Sequence, residues 1–343
     1  MTRETLFMKA INEGLDQAME RDERVVLLGE DISGGVNVEH LENNNEDAWG
    51  GVMGITRGLM PKYGRERVID TPISEHGYLS ASVGMALTGL RPVPELMFND
   101  FIGFCFDALL GQASKMRYMF GGKAKVPMVV RTMHGAGASA AAQHSGSYYG
   151  LFGSIPGIKV VVPATPYDAK GLLLASIEDD NVVIFSEDKT LYGLKGEVPE
   201  EYYTVPIGKA AVRREGEDLT IVTIGKMLYV AYEVADRLAK DNISVDVIDL
   251  RTVAPWDEET VLNSVKKTGR LIIVDEANPH NNTATDIASV VSDKAFDYLD
   301  GPVKCVCAPN TPVPFATNLE QAYIPDADKV LKVADELIQD LKG

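Results

Sequence analysis

Apolar residues at Leu6, Phe7, Ala10, Ile11, Leu15 and Ala18 recur at helical spacing and predict an amphipathic helix that begins at the chain's start. The next apolar run, Val25-Val-Leu-Leu28, is short and unbroken, as a buried strand is. The alternation then continues. Strands are expected at 67–70, 92–97, 126–131, 158–162 and 182–185, with helices near 77–90, 101–119 and 166–178 between them. Strands rich in Val and Ile that alternate with helices imply a largely parallel sheet covered on both faces. The stretch 186–206 breaks this rhythm: Gly193, Gly196, Pro199 and Pro206 stand among charges and tyrosines, the composition of an interdomain crossing.

A second alternation follows, with strands at Leu219–Gly225, Ser244–Leu250, Leu271–Asp275 and Val303–Cys307. Helices lie between them, and a last one is expected from Asp326 to Leu341. The pattern predicts two α/β domains, 1–188 and 207–343, joined by a linker at 189–206.

Composition narrows the partners. At 343 residues and 45% hydrophobic content both domains can bury a core. A net charge of −17 excludes a nucleic-acid binder, whose ligand demands a basic face. No apolar run reaches membrane-spanning length, so no membrane partner is expected. The start of the chain reads as helix, with no signal peptide before it. The three cysteines form neither a zinc half-site nor a redox pair, which fits packing in a reducing cytoplasm. Residues Glu39 to Gly51, rich in asparagine and acid, read as an exposed loop at a site's edge or a partner contact.

Candidate chemistry concentrates in the turn Asp70-Thr-Pro-Ile-Ser-Glu75-His-Gly77, between a strand and a small-residue helix. Ligands of parallel sheets bind beyond the carboxyl ends of the strands, where Glu75 stands. The plainer reading is an acid favoured by the helix dipole, with Ser74 as cap. Phe101 sits in Phe98-x-x-Phe101-x-x-Phe104-x-Phe106, which alone reads as core packing. His144 follows Gly135-Ala-Gly-Ala-Ser-Ala-Ala-Ala-Gln143, a loop too small to fill a core and suited to a ligand's close approach. Glu30 ends a strand as Gly-Glu-Asp, either at a site or in a solvated loop. His76 either perturbs Glu75 or merely caps the helix. A serine hydrolase would need Ser145 and His144, but adjacent residues do not form a nucleophile–base pair and no Gly-x-Ser-x-Gly elbow occurs.

These segments, with Gly-Leu-Arg91-Pro-Val-Pro-Glu95, Tyr118-Met-Phe-Gly-Gly122, Ala142-Gln-His144-Ser145, Pro156-Gly-Ile-Lys159 and Thr311-Pro-Val-Pro-Phe315, resemble beta subunits of thiamine-diphosphate-dependent acetoin and 2-oxo-acid dehydrogenases. Leu96–Phe101, Glu187–Tyr192, Lys195–Glu200 and Asp275–Pro279 resemble the acetoin branch. The resemblance implies a pyrimidine-binding domain followed by a transketolase C-terminal-like domain. Glu75 then matches the glutamate bound to the pyrimidine N1′, Phe101 the aromatic packed on that ring, and Glu30 an acid near the cofactor. His144 matches the histidine facing substrate and the lipoyl group. Met128, Ser176, Ile177, Asp179 and Asn181 match a structural potassium site.

The resemblance implies acetoin cleavage through hydroxyethyl-thiamine, with the acetyl group passed to lipoyl on a dihydrolipoamide acetyltransferase. Pyruvate or branched-chain oxo acids are alternative substrates, and a non-catalytic structural subunit is an alternative of another class. Family members hold the diphosphate and its magnesium with a Gly-Asp-Gly turn, and this sequence has none. The resemblance therefore implies an alpha subunit that supplies the magnesium, in an assembly of two alpha and two beta chains.

Overall fold

The computed structural model describes residues 2–34 and 49–339, so most of the Glu39–Gly51 loop lies outside the described residues. In chain order the strands are β1 (Thr2–Leu6), β2 (Val25–Gly29), β3 (Val68–Asp70), β4 (Arg91–Phe98), β5 (Val129–His134), β6 (Lys159–Val161), β7 (Val183–Asp188) and β8 (Lys195–Pro199). They continue with β9 (Ala211–Arg214), β10 (Leu219–Thr223), β11 (Val245–Asp249), β12 (Thr252–Ala254), β13 (Leu271–Asp275) and β14 (Lys304–Cys307). The chain forms two compact units, one of residues 1–133 and 155–207, the other of 134–154 and 208–343. Residues 134–154, early in the chain, thus pack with the later unit.

In the first unit six strands lie in the order β6-β7-β5-β4-β2-β3. The pairings of β2 with β3 and β4, of β4 with β5 and of β6 with β7 are parallel. Such a sheet must be covered on both faces, which is why β2, β5 and β7 are buried along their whole length. The helix Pro166–Glu178 is set by its first turn: Thr165 accepts from the Asp168 amide at 3.1 Å, and Pro166 occupies the first helical position. It packs on the helix Phe7–Arg21 where Gly14 allows close approach to Leu173.

Two expectations shift here. The first residues are a strand, and β1 pairs antiparallel with β8 from Thr2 opposite Pro199 to Leu6 opposite Lys195. Its second strand, β8, lies inside the stretch read as a crossing, because a half-exposed strand pair leaves little hydrophobic alternation to detect. The helix expected over 101–119 is instead a series of short turns: Asn99–Phe101, Ile102–Asp107, a π-helical segment Ala108–Ala113, and Ser114–Met119. Its break falls at Cys105, whose backbone leaves helical geometry (φ −125°, ψ 16°).

The second unit holds the sheet β14-β13-β10-β11-β9, parallel except for β9, which runs antiparallel to β11. Asp257, Asn282 and Asp326 each cap a following helix through backbone amides, and the last helix spans Ala327–Leu337. No helix among the described residues is long and apolar enough to cross a membrane.

One buried charge ties the first unit's helical layer to its ribbon. Lys170, fully buried, donates to Glu13 at 2.8 Å and to the carbonyls of Pro199 at 2.7 Å and Glu201 at 3.0 Å. Lys170→Met should therefore destabilise the chain by about 3 kcal/mol, since it strands carbonyls that packing cannot satisfy. Urea unfolding of the purified chain measures this, and a loss below about 1 kcal/mol would show the ion pair to be dispensable.

Candidate active site

Adjacent strands β7, β5 and β4 carry Glu187, Arg131 and Glu95 in a row. Arg131, 2% exposed, grips both oxygens of Glu187 at 2.7 and 2.9 Å and donates to Glu95 at 2.7 Å. Tyr192 adds a hydrogen bond to Glu187 at 2.8 Å. Burial works against the guanidinium charge, but Glu187 and Glu95 outweigh it and hold its pKa above the ordinary value. On the far side of Glu95 comes β2, whose Gly29 is tightly placed: a Cβ there would lie 3.1 Å from the Glu95 Cβ. Nothing in the individual residues signalled this row; strand register alone assembles it.

Past the row, three strands end in buried polar groups. Glu30 follows β2, Thr71 follows β3 and Asn99 follows β4. Glu30 Oε1, Thr71 Oγ1 and both side-chain polar atoms of Asn99 have no hydrogen-bond partner among the described residues. Native folds rarely leave such groups unsatisfied, so an ordered water, an ion or a ligand completes them. Asp70 fixes the turn after β2 by accepting from the Ser33 amide at 2.7 Å and its hydroxyl at 2.5 Å.

Glu75 opens the helix Glu75–Leu87 and is buried, at 9% exposure. The Ser74 side chain makes no capping bond, and a Cβ on Gly77 would press on the Ser74 hydroxyl at 2.8 Å. Glu75 is therefore an enclosed carboxylate and not the solvated helix-start acid of the plainer reading. Its charge is felt nearby. Glu30 is pushed up to about 7, first by burial and then by Glu75, Asp31 and Glu95. The Cys105 thiol rises to about 12, by burial and then by Glu75, which removes it as a nucleophile at neutral pH. Phe101 meets Phe98 edge-on with centroids 5.7 Å apart, and His76 is exposed.

His144 lies in the second unit, half-buried, its amide donating to the Ala141 carbonyl at 3.3 Å. The preceding loop takes left-handed geometry at Gly135, Gly137, Ser139 and Ala141. Two of those are not glycine, so the loop holds backbone strain. Ser145 is buried and its hydroxyl has no partner among the described residues, so no serine–histidine pair forms through it. The structure thus gathers Glu30, Glu75 and Phe101 in one unit and places His144 in the other.

Of the five residues matched to potassium, Ile177 and Asp179 turn their carbonyls to Arg91 Nη1, at 2.8 and 3.0 Å. Met128 gives its carbonyl to the Val183 amide at 2.9 Å, and Asn181 donates to the Asp179 carboxylate at 2.8 Å. The Ser176 hydroxyl donates to the Leu172 carbonyl at 2.6 Å.

Glu30 makes stability depend on pH. Its carboxyl holds a proton up to about 7 in the folded chain against an ordinary 4.5, so the stabilising contribution is complete below pH 4.5 and is lost as pH rises through about 7. Glu30→Gln should flatten that fall. Urea midpoints of both proteins across this window are the check, and parallel curves would remove Glu30 as the source.

The description "Transketolase, pyrimidine binding domain" matches residues 4–195, and "Transketolase, C-terminal domain" matches 208–330. The chain is 56% identical over 338 residues to the acetoin:2,6-dichlorophenolindophenol oxidoreductase subunit beta of Bacillus subtilis (strain 168), covering 98% of each chain. It is 52% identical to the subunit of the same name from Cupriavidus necator, covering 97% of each. It is 41% identical to the pyruvate dehydrogenase E1 component subunit beta of Bacillus subtilis, covering 97% of this chain and 98% of that one. A solved structure described as "Split gene transketolase, inactive beta4 tetramer" shares the fold with a TM-score of 0.75 at 21% identity, over 97% of this chain and 98% of that chain. The chain belongs to the family of thiamine-diphosphate-dependent acetoin and 2-oxo-acid dehydrogenase beta subunits.

Proposed function

We propose that this chain is the beta half of an acetoin-cleaving dehydrogenase component, binding the pyrimidine end of thiamine diphosphate. The observation that carries this is the strand-end edge of β4, β2 and β3. Three neighbouring strands end there in Asn99, Glu30 and Thr71 with unsatisfied polar atoms, and the buried Glu75 belongs to the same edge. An aminopyrimidine, with ring nitrogens and an exocyclic amine, offers donors and acceptors to such a set. Acetoin is favoured over pyruvate and branched-chain oxo acids because the acetoin relatives are 52–56% identical, against 41% for the pyruvate relative quoted.

Bound thiamine diphosphate would supply the carbon nucleophile and electron sink that carbon–carbon cleavage requires. The protein's own residues do the rest. Glu75, buried at the strand-end edge, would hold the pyrimidine N1′ by a hydrogen bond. Phe101 would cover the ring, and Glu30, raised to about 7, would keep a proton close by. Arg131 fixes the position of the Glu95 carboxylate beside that edge. His144 gives or takes a proton at the substrate oxygen or the lipoyl sulfur.

An alpha subunit supplies the diphosphate and magnesium scaffold, since this sequence lacks the Gly-Asp-Gly turn. The working unit is two alpha and two beta chains, delivering acetyl groups in the cytoplasm to a lipoyl-bearing dihydrolipoamide acetyltransferase. The division into 1–188, 189–206 and 207–343 is kept as the functional partition.

With the alpha subunit present, acetoin should be turned over faster than pyruvate. Glu75→Gln should lower turnover by about two to four orders of magnitude, the span of acid–base contributions. His144→Ala should slow lipoyl acetylation far more than cofactor binding. Full activity of Glu75→Gln in the assembled enzyme would instead leave a structural subunit, and preference for pyruvate would move the chain to the neighbouring branch.

Potassium is proposed at Met128, Ser176, Ile177, Asp179 and Asn181, held by the second lone pairs of carbonyls already bonded to Arg91 and Val183. The Arg91 guanidinium beside them opposes a second cation, so binding should be weak. Replacing potassium with choline at equal ionic strength should lower Tm by roughly 2–4 °C. An unchanged Tm would show that Arg91 alone serves those carbonyls.

A further inference from the structure

The loop that precedes His144 is organised around a single carboxylate from far along the chain. Glu320, 2% exposed, lies on the helix Thr317–Tyr323. One of its oxygens accepts from the Gly137 amide at 2.7 Å, the other from the Ser139 amide at 2.9 Å and the Ser139 hydroxyl at 3.4 Å. That hydroxyl also meets Thr317 Oγ1 at 3.2 Å. Gly137 and Ser139 both carry positive φ, 111° and 50°, so the loop curls into a concave ring of amides of the kind that binds anions.

The peptide unit between Ala136 and Gly137 is held at both ends. Its N–H points to Glu320, while its carbonyl accepts from Lys226 Nζ at 2.5 Å. Lys226 is in turn paired with Glu276 at 2.6 Å. Ala136 itself is buried against Ala308, Val313 and Tyr323. At the loop's other end the Gly135 amide bonds the Gly146 carbonyl at 3.3 Å, closing the base on which His144 stands. Every one of these partners belongs to the same unit as His144.

We propose that Glu320 is a positioning residue for His144: its carboxylate is the built-in anion around which the small-residue loop winds, and the loop's shape fixes where the imidazole stands. A loop of Gly, Ala and Ser has few side chains with which to hold itself, and it contains left-handed Ser139 and Ala141. It needs an external template, and the amides select a carboxylate. This rests on the reading that His144 serves the substrate or lipoyl group.

The test uses the enzyme assembled with its alpha subunit and a lipoyl acceptor. Glu320→Gln presents an NH2 where one amide now donates, and Glu320→Asp keeps the charge but shortens the reach. Expected for Glu320→Gln are faster hydrogen exchange across 135–144, a fall in kcat for acetyl transfer of between about tenfold and a hundredfold, and little change in KM, with Glu320→Asp intermediate. In a His144→Ala background the same change should cost little more, because the residue acts through the imidazole.

Unchanged exchange in both Glu320 variants would overturn the anchor. Equal losses with and without His144 would overturn the positioning role. His144→Ala turning over at the parent rate would instead strike the reading of His144, a separate outcome that the single variant reveals by itself.

Discussion

A guanidinium shut in among carboxylates is the constraint on which the first unit's site depends. Arg131 stands on β5, between Glu187 on β7 and Glu95 on β4. Taking a charge out of water is costly, and it is tolerated here because every bond is short and two carboxylates share one cation. The compensation is incomplete. One positive charge answers two negatives, and Glu30 nearby is raised to about 7, first by its own burial, then by Glu75 and Asp31, and last by Glu95. The same row bears on geometry: a side chain at Gly29 on β2 would press on Glu95.

This arrangement divides the chemical labour. The first unit offers acids, an aromatic and unsatisfied polar atoms at the ends of parallel strands, the place where such sheets bind ligands. Its sequence contains no Gly-Asp-Gly turn. The second unit offers an imidazole on a loop of small residues. An enclosed carboxyl and an imidazole thus come from separately organised parts of one polypeptide, each set by its own backbone.

Much of this was legible along the chain, and the reasons are local. Strand and helix alternate with periods that differ, so most of the expected elements appear within a few residues of their places. Glu75 was visible because its turn is contiguous. Arg131, Glu95 and Glu187 were not, since their partners lie 36 and 56 residues apart and each alone looks like an ordinary strand residue. Asn99 and Thr71 were silent for a different reason: an unsatisfied atom is defined by what surrounds it, which no window of sequence contains. The β1–β8 ribbon was missed because half-exposed strands lack a strong apolar alternation, and the break at Cys105 because an apolar run reads as continuous helix.

The order in which the chain emerges during synthesis gives the discontinuous second unit a further meaning. Residues 134–154 are made early, yet the carboxylate that Gly137 and Ser139 bond to arrives more than 180 residues later. At ordinary elongation rates of about 5–20 residues per second, that is a wait of roughly ten seconds or more. Throughout it the nascent glycine- and alanine-rich segment has no anion to wind around. Vectorial folding can complete the six-stranded sheet but not the loop that leaves it. A gene cut at the inviting boundary near residue 207 would also part the loop from its carboxylate, so these two modules, distinct as folds, are not independent as pieces of coding sequence.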